Sequence, residues 1–487
     1  MASFLGIDLG TSATKVGVFD DSGACLALSS APCAISRPAP GWFEQNPEDW
    51  WESVVLCLRR TWELGIDPES IDGIGLSGHF STAFLDEDCR PARPAITWQD
   101  ARAEDEAEEL AERVTPDSAR ALLGIDLPFS ASMPPARVAW VSRHDVGGAT
   151  RTRWIAQAKD YVAAQLTGEA TSDRHSMLGL VHTVTGGSDA DYLARLGVSP
   201  EMIPRLAEPD EVAGHVSSQA AALTGLAPGT PVAAGWIDAY CSMVATGMNL
   251  SRCAFDYAGT SEIVGLLSKQ PPDETRGLLV IPLKPAMVAV YGLTNSGSGS
   301  LSWAVQAFGA GATLETLVEE AGAAPPGCDG MLFLPYLDGE RSPVWDATAR
   351  GAFLGISSVH ERPHFVRAVL EGVALSVGQL IDISRGLTGV EPSQILISGG
   401  GAKSDVWTQI RADVTQLPVG VCAETETGAL GAAILASVAS GLFPDLSAAA
   451  AAMVSVEKVF DPREELADLY GELQSRYNSA YAAVRQV

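Results

Sequence analysis

Apolar residues follow two rhythms along this chain. Short, nearly continuous apolar runs bounded by Gly, Pro, Asp or Asn predict strands at 4–9, 14–20, 24–29, 71–76, 83–86, 232–236, 287–293 and 394–398. A further pair of runs over 254–267 predicts a hairpin. Between the strands, apolar residues recur three and four apart and predict helices at 46–60, 101–114, 364–387 and 403–415. Small and apolar residues at 239–246 and 428–439 predict buried helices. Strands alternate with helices in both halves, which argues the α/β class. At 487 residues the chain is too long for one ordinary core. We divide it into domains at 1–245 and 246–487. No low-complexity linker separates them, so the expectation is two domains around a cleft.

The two hairpins share a turn. Phe4-Leu5-Gly6-Ile7-Asp8-Leu9 is followed by Gly10-Thr11-Ser12, and Phe255-Asp256-Tyr257-Ala258 by Gly259-Thr260-Ser261. Gly lets a backbone approach a ligand closely, while N–H groups and hydroxyls face it. Two such turns predict a duplicated fold that grips a polyphosphate. The copies are not equivalent, because Asp8 stands where the second turn has Tyr257. Only the first brings a carboxylate, as a single metal site needs.

Composition narrows the classes. Net charge is −28, from 60 acidic and 32 basic residues, so nucleic acid and anionic membranes are repelled. The acidic helix at 101–114 reads as a solvated face. No apolar run approaches the ~20 residues of a spanning helix, and no signal segment precedes the first strand. The eight cysteines are scattered without a Cys-x-x-Cys pair, as in reduced cytoplasmic proteins.

Phosphoryl transfer needs positioned phosphates, a bridging metal and a group that takes the acceptor proton. Asp8, at a strand end beside the first turn, suits Mg²⁺. Lys15 reads equally as a phosphate contact or an exposed strand lysine. Asp238, where a strand meets a small-residue helix, reads as a helix cap or as a general base. Gly399-Gly400-Gly401-Ala402 reads as a nucleotide turn or as relief of crowding before a helix. The small residues of Gly428-Ala429-Leu430-Gly431-Ala432 admit either a flat ring or a closely packed element.

Together these segments resemble the FGGY family of carbohydrate kinases along essentially the whole chain. Gly6-Ile7-Asp8-Leu9-Gly10-Thr11-Ser12 is similar to its opening phosphate motif. Ser132-Met133-Pro134-Pro135-Ala136-Arg137-Val138-Ala139-Trp140 is similar to its first signature, with Arg137 where Lys is usual. Gly351-Ala352-Phe353-Leu354-Gly355-Ile356 followed by His364-Phe365-Val366-Arg367-Ala368-Val369-Leu370-Glu371 resembles the second. The resemblance implies a duplicated actin-like, ribonuclease-H-like ATPase fold that binds ATP, Mg²⁺ and a small-molecule sugar. It implies Asp238 as catalytic base and Asp8, with Asp238, near the metal. It implies Gly10, Thr11, Ser12, Lys15, Gly259, Thr260 and Ser261 on the phosphates, and Gly400, Gly401 and Asp405 on the adenosine. His79, Phe80, Trp98, Asp100 and Arg102, with Asp238, are its candidate sugar contacts.

Within the family, Trp42-Phe43-Glu44-Gln45-Asn46-Pro47-Glu48-Asp49-Trp50-Trp51, Lys159-Asp160-Tyr161 and Leu334-Pro335-Tyr336-Leu337-Asp338-Gly339-Glu340-Arg341-Ser342-Pro343 are most similar to the xylulokinase branch. That implies transfer of the ATP γ-phosphate to a ketopentose, D-xylulose to xylulose 5-phosphate. Two departures bear on the sugar. Gly78-His79-Phe80 replaces a usual Gln-Met-His, and Ala239 stands where an amide side chain is usual. The alternatives are a kinase for ribulose, erythritol or glycerol, or a non-kinase actin-like ATPase. A homodimer is common among similar kinases, although no segment of this chain localises an interface.

Overall fold

The computed structural model describes residues 2–125, 129–248 and 250–485. It contains two compact units, Met1–Ala245 with Glu426–Met453, and Thr246–Thr425 with Val454–Val487. The first unit holds strands β1 (Ser3–Leu9), β2 (Ala13–Asp20), β3 (Cys25–Pro32), β4 (Gly73–Gly78), β5 (Val212–His215), β6 (Pro231–Ala233) and β7 (Trp236–Ile237). The second holds β8 (Cys253–Ala258), β9 (Glu262–Ser268), β10 (Leu279–Lys284), β11 (Met287–Leu293), β12 (Gln394–Ser398), β13 (Val419–Cys422) and β14 (Val456–Phe460). The helices that position functional residues are α1 (Ala158–Thr167), α2 (Asp238–Ala245), α3 (Ser298–Phe308), α4 (Arg362–Thr388), α5 (Asp405–Thr415) and α6 (Thr427–Ala439).

Each unit is built on one sheet with the same plan. In the first the order is β5-β6-β4-β1-β2-β3, with β7 also paired to β4. Strands β1, β2 and β3 form an antiparallel meander; β4 runs parallel to β1, β6 and β7 run parallel to β4, and β5 is an antiparallel edge. In the second the order is β10-β11-β9-β8-β12-β13-β14. Here β8, β9 and β11 form the meander, β12 and β13 continue parallel to β8, and β14 is the antiparallel edge. Both meanders open on a Gly-Thr-Ser hairpin, so the duplication is visible in the topology.

Strand β1 shows how residue type sets the layers. Successive side chains point to opposite faces. Leu5, Ile7 and Leu9 enter a core with Trp50, Val54 and Tyr161. Fully burying each such aliphatic side chain contributes about 1.5–3 kcal/mol. The opposite face carries Gly6 and Asp8, and helix α6 lies against it. A Cβ on Gly6 would sit 1.9 Å from the Ala429 carbonyl oxygen, and one on Gly75 of β4 1.7 Å from that of Ala432. The small residues at 428–432 therefore serve close packing within the first unit.

Two local expectations are revised. The apolar run 232–236 is not one strand. Gly235 adopts φ +76° with its Cα pressed towards the Leu76 carbonyl, which splits the run into β6 and β7. The helix expected from residue 403 is preceded by a 3-10 turn, Gly400–Lys403, and α5 begins only after Ser404 caps it by accepting from Trp407 N at 3.2 Å.

Candidate active site

Three parallel strands of the first unit end together. Asp8 of β1 lies opposite Ser77 of β4, and Trp236 of β7 lies opposite the same Ser77. His79 follows β4, its N–H bonded to the Leu9 carbonyl at 2.9 Å, and Asp238 follows β7 as the first residue of α2. The carboxyl ends of parallel strands are where open α/β sheets present ligand sites.

Asp8 and Asp238 are both partly buried there. Ser77 Oγ donates to Asp8 Oδ1 at 2.6 Å, yet burial still raises the Asp8 pKa, and Glu426 adds to that. A Cβ at residue 428 would fall 2.5 Å from the Asp8 carboxylate, so Gly428 at the start of α6 leaves the space the carboxylate occupies. Burial, then the charge of Asp8, pushes Asp238 up to about 7, while its Oδ1 accepts from Ala239 N at 2.7 Å. Two mutually repelling carboxylates fit a divalent cation that also takes phosphate oxygens and water. Among the described residues no group of three or more His, Cys, Asp or Glu is arranged to hold a metal. Lys15, expected as a phosphate contact, pairs with Glu426.

His79 is fully buried. Its Nδ1 lies 2.6 Å from Ser81 Oγ, its ring meets Trp50 edge-on, and its Nε2 has no hydrogen-bond partner. Burial, with help from Arg137, lowers its pKa to about 3, so the ring is neutral. Phe80 is tethered through its carbonyl to Arg137, whose buried guanidinium also donates to Thr82 Oγ1 and to the carbonyls of Ala131 and Ser132. Burial lowers Arg137 to about 9. Asp100 and Arg102 are taken up by each other. Asp100 Oδ1 accepts from Arg102 N and Nε, Oδ2 from Arg102 Nη2 at 2.7 Å, and Arg102 also reaches Glu44 and stacks over Trp42. This pair braces the loop that carries Trp98. The Trp98 ring is 47% exposed, and its Nε1 donates to Thr11 Oγ1 at 3.0 Å.

Beneath the strand ends lies a buried ion cluster. Lys159 Nζ of α1 contacts Asp160 at 2.6 Å, Asp173 at 2.8 Å and the Ala234 carbonyl at 3.1 Å. Asp173 also accepts from His175 N, and His175 Nδ1 accepts from the Trp236 indole at 3.1 Å. Trp236 is thereby drawn away into contact with His175 and Tyr240. Burial opposes the charge of Lys159, but the two carboxylates outweigh it and hold the ammonium above its usual range. This cluster anchors the backbone that leads into Asp238. Its only trace in the chain is a Lys-Asp pair inside an otherwise apolar helical run.

In the second unit the Gly259-Thr260-Ser261 turn closes β8 onto β9. The carbonyls of Gly259 and Thr260 accept from the N–H groups of Gly297, Ser298 and Gly299 at the start of α3. Behind the turn, Arg411 bridges Asp256 at 3.0 Å and Glu262 at 2.8 Å, all three buried. Gly400 has open space where a Cβ would point, whereas Gly401 abuts Ala258. A cavity beside this turn is lined by Gly399, Ala402, Lys403, Asp405, Thr425 and Lys458. Asp405 is paired across it with Lys458 at 3.0 Å.

Comparison with known proteins decides the family. Residues 3–245 match the N-terminal domain of the FGGY family of carbohydrate kinases, and residues 257–440 match its C-terminal domain. The chain belongs to the FGGY family of carbohydrate kinases. Among FGGY relatives, a xylulose kinase of Bacillus subtilis (strain 168) is 30% identical over 501 residues, covering 100% of this chain and 98% of that protein. A gluconokinase of Bacillus licheniformis is 27% identical over 483 residues, covering 96% and 93%. The crystal structure of xylulose kinase from Rhodospirillum rubrum superposes with a TM-score of 0.90 at 29% identity, over 99% of both chains. FGGY membership makes this chain an ATP-dependent phosphotransferase acting on a sugar hydroxyl, on a two-domain actin-like α/β fold. Among the described residues no helix is long and apolar enough to cross a membrane.

Proposed function

We propose that this chain transfers the γ-phosphoryl group of ATP to a hydroxyl of D-xylulose, forming xylulose 5-phosphate in the cytoplasm. The observation that carries the chemistry is the pair of carboxylates at the ends of the two strands that flank β4, Asp8 and Asp238. The choice of sugar rests on the 30% identical xylulose kinase. In the reaction the sugar oxygen attacks the γ-phosphorus, ADP leaves, and the hydroxyl proton passes to Asp238. Asp8, with Asp238 beside it, would hold Mg²⁺, which when bound offsets the charge of the phosphates. Ser77 fixes the orientation of Asp8 for that purpose. In the first unit the Gly10-Thr11-Ser12 turn offers hydroxyls and N–H groups to phosphate oxygens; within the second unit Gly259-Thr260-Ser261 is the candidate phosphate turn, and Gly400, Gly401 and Asp405 are the candidate adenosine contacts. His79 offers its unpartnered Nε2 to a sugar hydroxyl.

Gluconate is the second reading, favoured by the gluconokinase relative. ADP release with Mg-ATP separates the readings, measured with D-xylulose, L-xylulose, D-ribulose, L-ribulose, erythritol, glycerol, gluconate and no acceptor. Stimulation by D-xylulose above all others is the expected result. Stimulation by gluconate alone transfers the assignment to the sugar acid. Equal ADP in every well removes the kinase reading.

His79 gives a narrower expectation. His79→Phe loses one net hydrogen bond to sugar, so KM for the acceptor rises about three- to tenfold with a smaller change in kcat. The acid limb of stability changes as well. In the folded wild type His79 holds its pKa near 3, against an ordinary 6.5, so the unfolded chain binds a proton that the folded chain refuses. That contribution is intact above pH 6.5 and is lost as pH falls from there towards 3. Thermal melts of His79→Phe from pH 7 to 4 should therefore fall less steeply than those of the wild type. Parallel melting curves would show that His79 is charged in the folded protein.

A further inference from the structure

Trp98 combines two features that ordinary core packing does not require. Its ring is 47% exposed, yet its Nε1–H is directed onto Thr11 Oγ1 at 3.0 Å, across 87 positions of sequence. Both partners are held in place. The Trp98 loop is pinned on one side by Thr97 N on the Phe43 carbonyl, and on the other by Asp100, which accepts from Phe43 N and pairs with Arg102. Thr11 is pinned through its own carbonyl, which accepts from Gln45 Nε2 at 2.9 Å, and Gln45 Oε1 accepts from the indole of buried Trp50.

A hydroxyl carries one donor and two acceptor sites, whereas an indole N–H only donates. With one acceptor site of Thr11 Oγ1 taken by Trp98, the hydroxyl proton is left to point elsewhere. A phosphate oxygen accepts only, so it needs that proton. A hydroxyl that accepts one bond also donates a stronger one. We propose that Trp98 is a positioning residue that sets the Thr11 hydroxyl as a donor to a nucleotide phosphate. This rests on the reading of Gly10-Thr11-Ser12 as a phosphate turn. The exposed indole face remains available to the acceptor sugar.

The test isolates one N–H group. Binding of Mg²⁺ with the β,γ-methylene analogue of ATP is measured by calorimetry for wild type, Trp98→Phe, Thr11→Val and the double variant. Phe keeps an aromatic ring but lacks the N–H donor and part of the indole's area; Val keeps the shape of Thr and removes the hydroxyl. Trp98→Phe should weaken the analogue about two- to tenfold, the value of one net hydrogen bond. The double variant should bind no more weakly than Thr11→Val alone, since both changes break the same chain of bonds. Unchanged analogue binding by Trp98→Phe, beside a loss in Thr11→Val, overturns the role of Trp98 and leaves the phosphate turn standing. Additive losses in the double variant also overturn it. Unchanged binding by Thr11→Val removes the phosphate turn itself, and this inference with it.

Discussion

Asp238→Asn lowers kcat by ~10²- to 10⁴-fold, the range of a lost general base, while the protein stays folded. Asn has nearly the shape of Asp, and its Oδ1 still accepts from Ala239 N as the carboxylate does. What it lacks is a site for the proton of the acceptor hydroxyl. The same substitution removes a like charge from beside Asp8; the burial of Asp238, and then the charge of Asp8, push Asp238 up to about 7. Relief of that repulsion favours the folded state. The expected signature is therefore a melting temperature equal to or above that of the wild type, with turnover nearly abolished. A purely structural role for Asp238, as a cap on α2, would leave both stability and kcat close to wild type, because Asn caps a helix as well as Asp does. Turnover within threefold of wild type would remove Asp238 as the base. A large fall in melting temperature would assign any loss of activity to the fold.

The parts of this protein that were legible in its sequence are those written in local pattern. The hairpin from Phe4 to Phe19 is readable because two apolar runs flank Gly-Thr-Ser, and the structure pairs Phe4 with Phe19 in that register. The second hairpin is legible for the same reason. Asp8 is legible as a carboxylate beside the first turn, whereas Asp238 reads as a helix cap or a base, and only the fold brings it into the field of Asp8. What sequence leaves open is decided by partners brought together through folding. Lys15 reads equally as a phosphate contact or an exposed strand lysine, and its pairing with Glu426, 411 residues on, is visible only in the fold. Asp100 and Arg102 read as residues that line a sugar site or brace it, and the fold shows that they bond each other. The small residues after Gly428 admit a nucleobase or a backbone, and the glycines at 6 and 75 that select the backbone are visible only once β1 and β4 lie side by side. Nor does the run at 232–236 reveal the Leu76 carbonyl that breaks it at Gly235.

Lys159→Met should lower stability by ~3–5 kcal/mol, the cost of leaving buried ions without their partner, and lower Tm by roughly ten degrees. The three ammonium hydrogens of Lys159 are matched by three acceptors, Asp160, Asp173 and the Ala234 carbonyl, in a site with no exposed surface. Met fills similar space but supplies no donor, so two carboxylates are left facing each other. The sign of the pH dependence distinguishes this from loss of packing. In the wild type, burial opposes the charge on Asp173, but Lys159 and the His175 bond hold its carboxyl below the ordinary 3.8. Its contribution is therefore present above that pH and lost as pH falls. Asp160 already lies above its ordinary value, because its burial outweighs Lys159; without Lys159 both carboxylates are held above it, so their contribution is lost as pH rises. The deficit of Lys159→Met should accordingly be smaller at pH 5 than at pH 8. Adding Asp173→Asn should restore part of the stability at pH 8, because one carboxylate is then removed. A Tm within two degrees of wild type, or a deficit independent of pH, would show that the cluster is not an ion triad in solution. Since Lys159 also holds the Ala234 carbonyl, and β7 leads from there into Asp238, the variant should lose turnover at temperatures below its own melting transition.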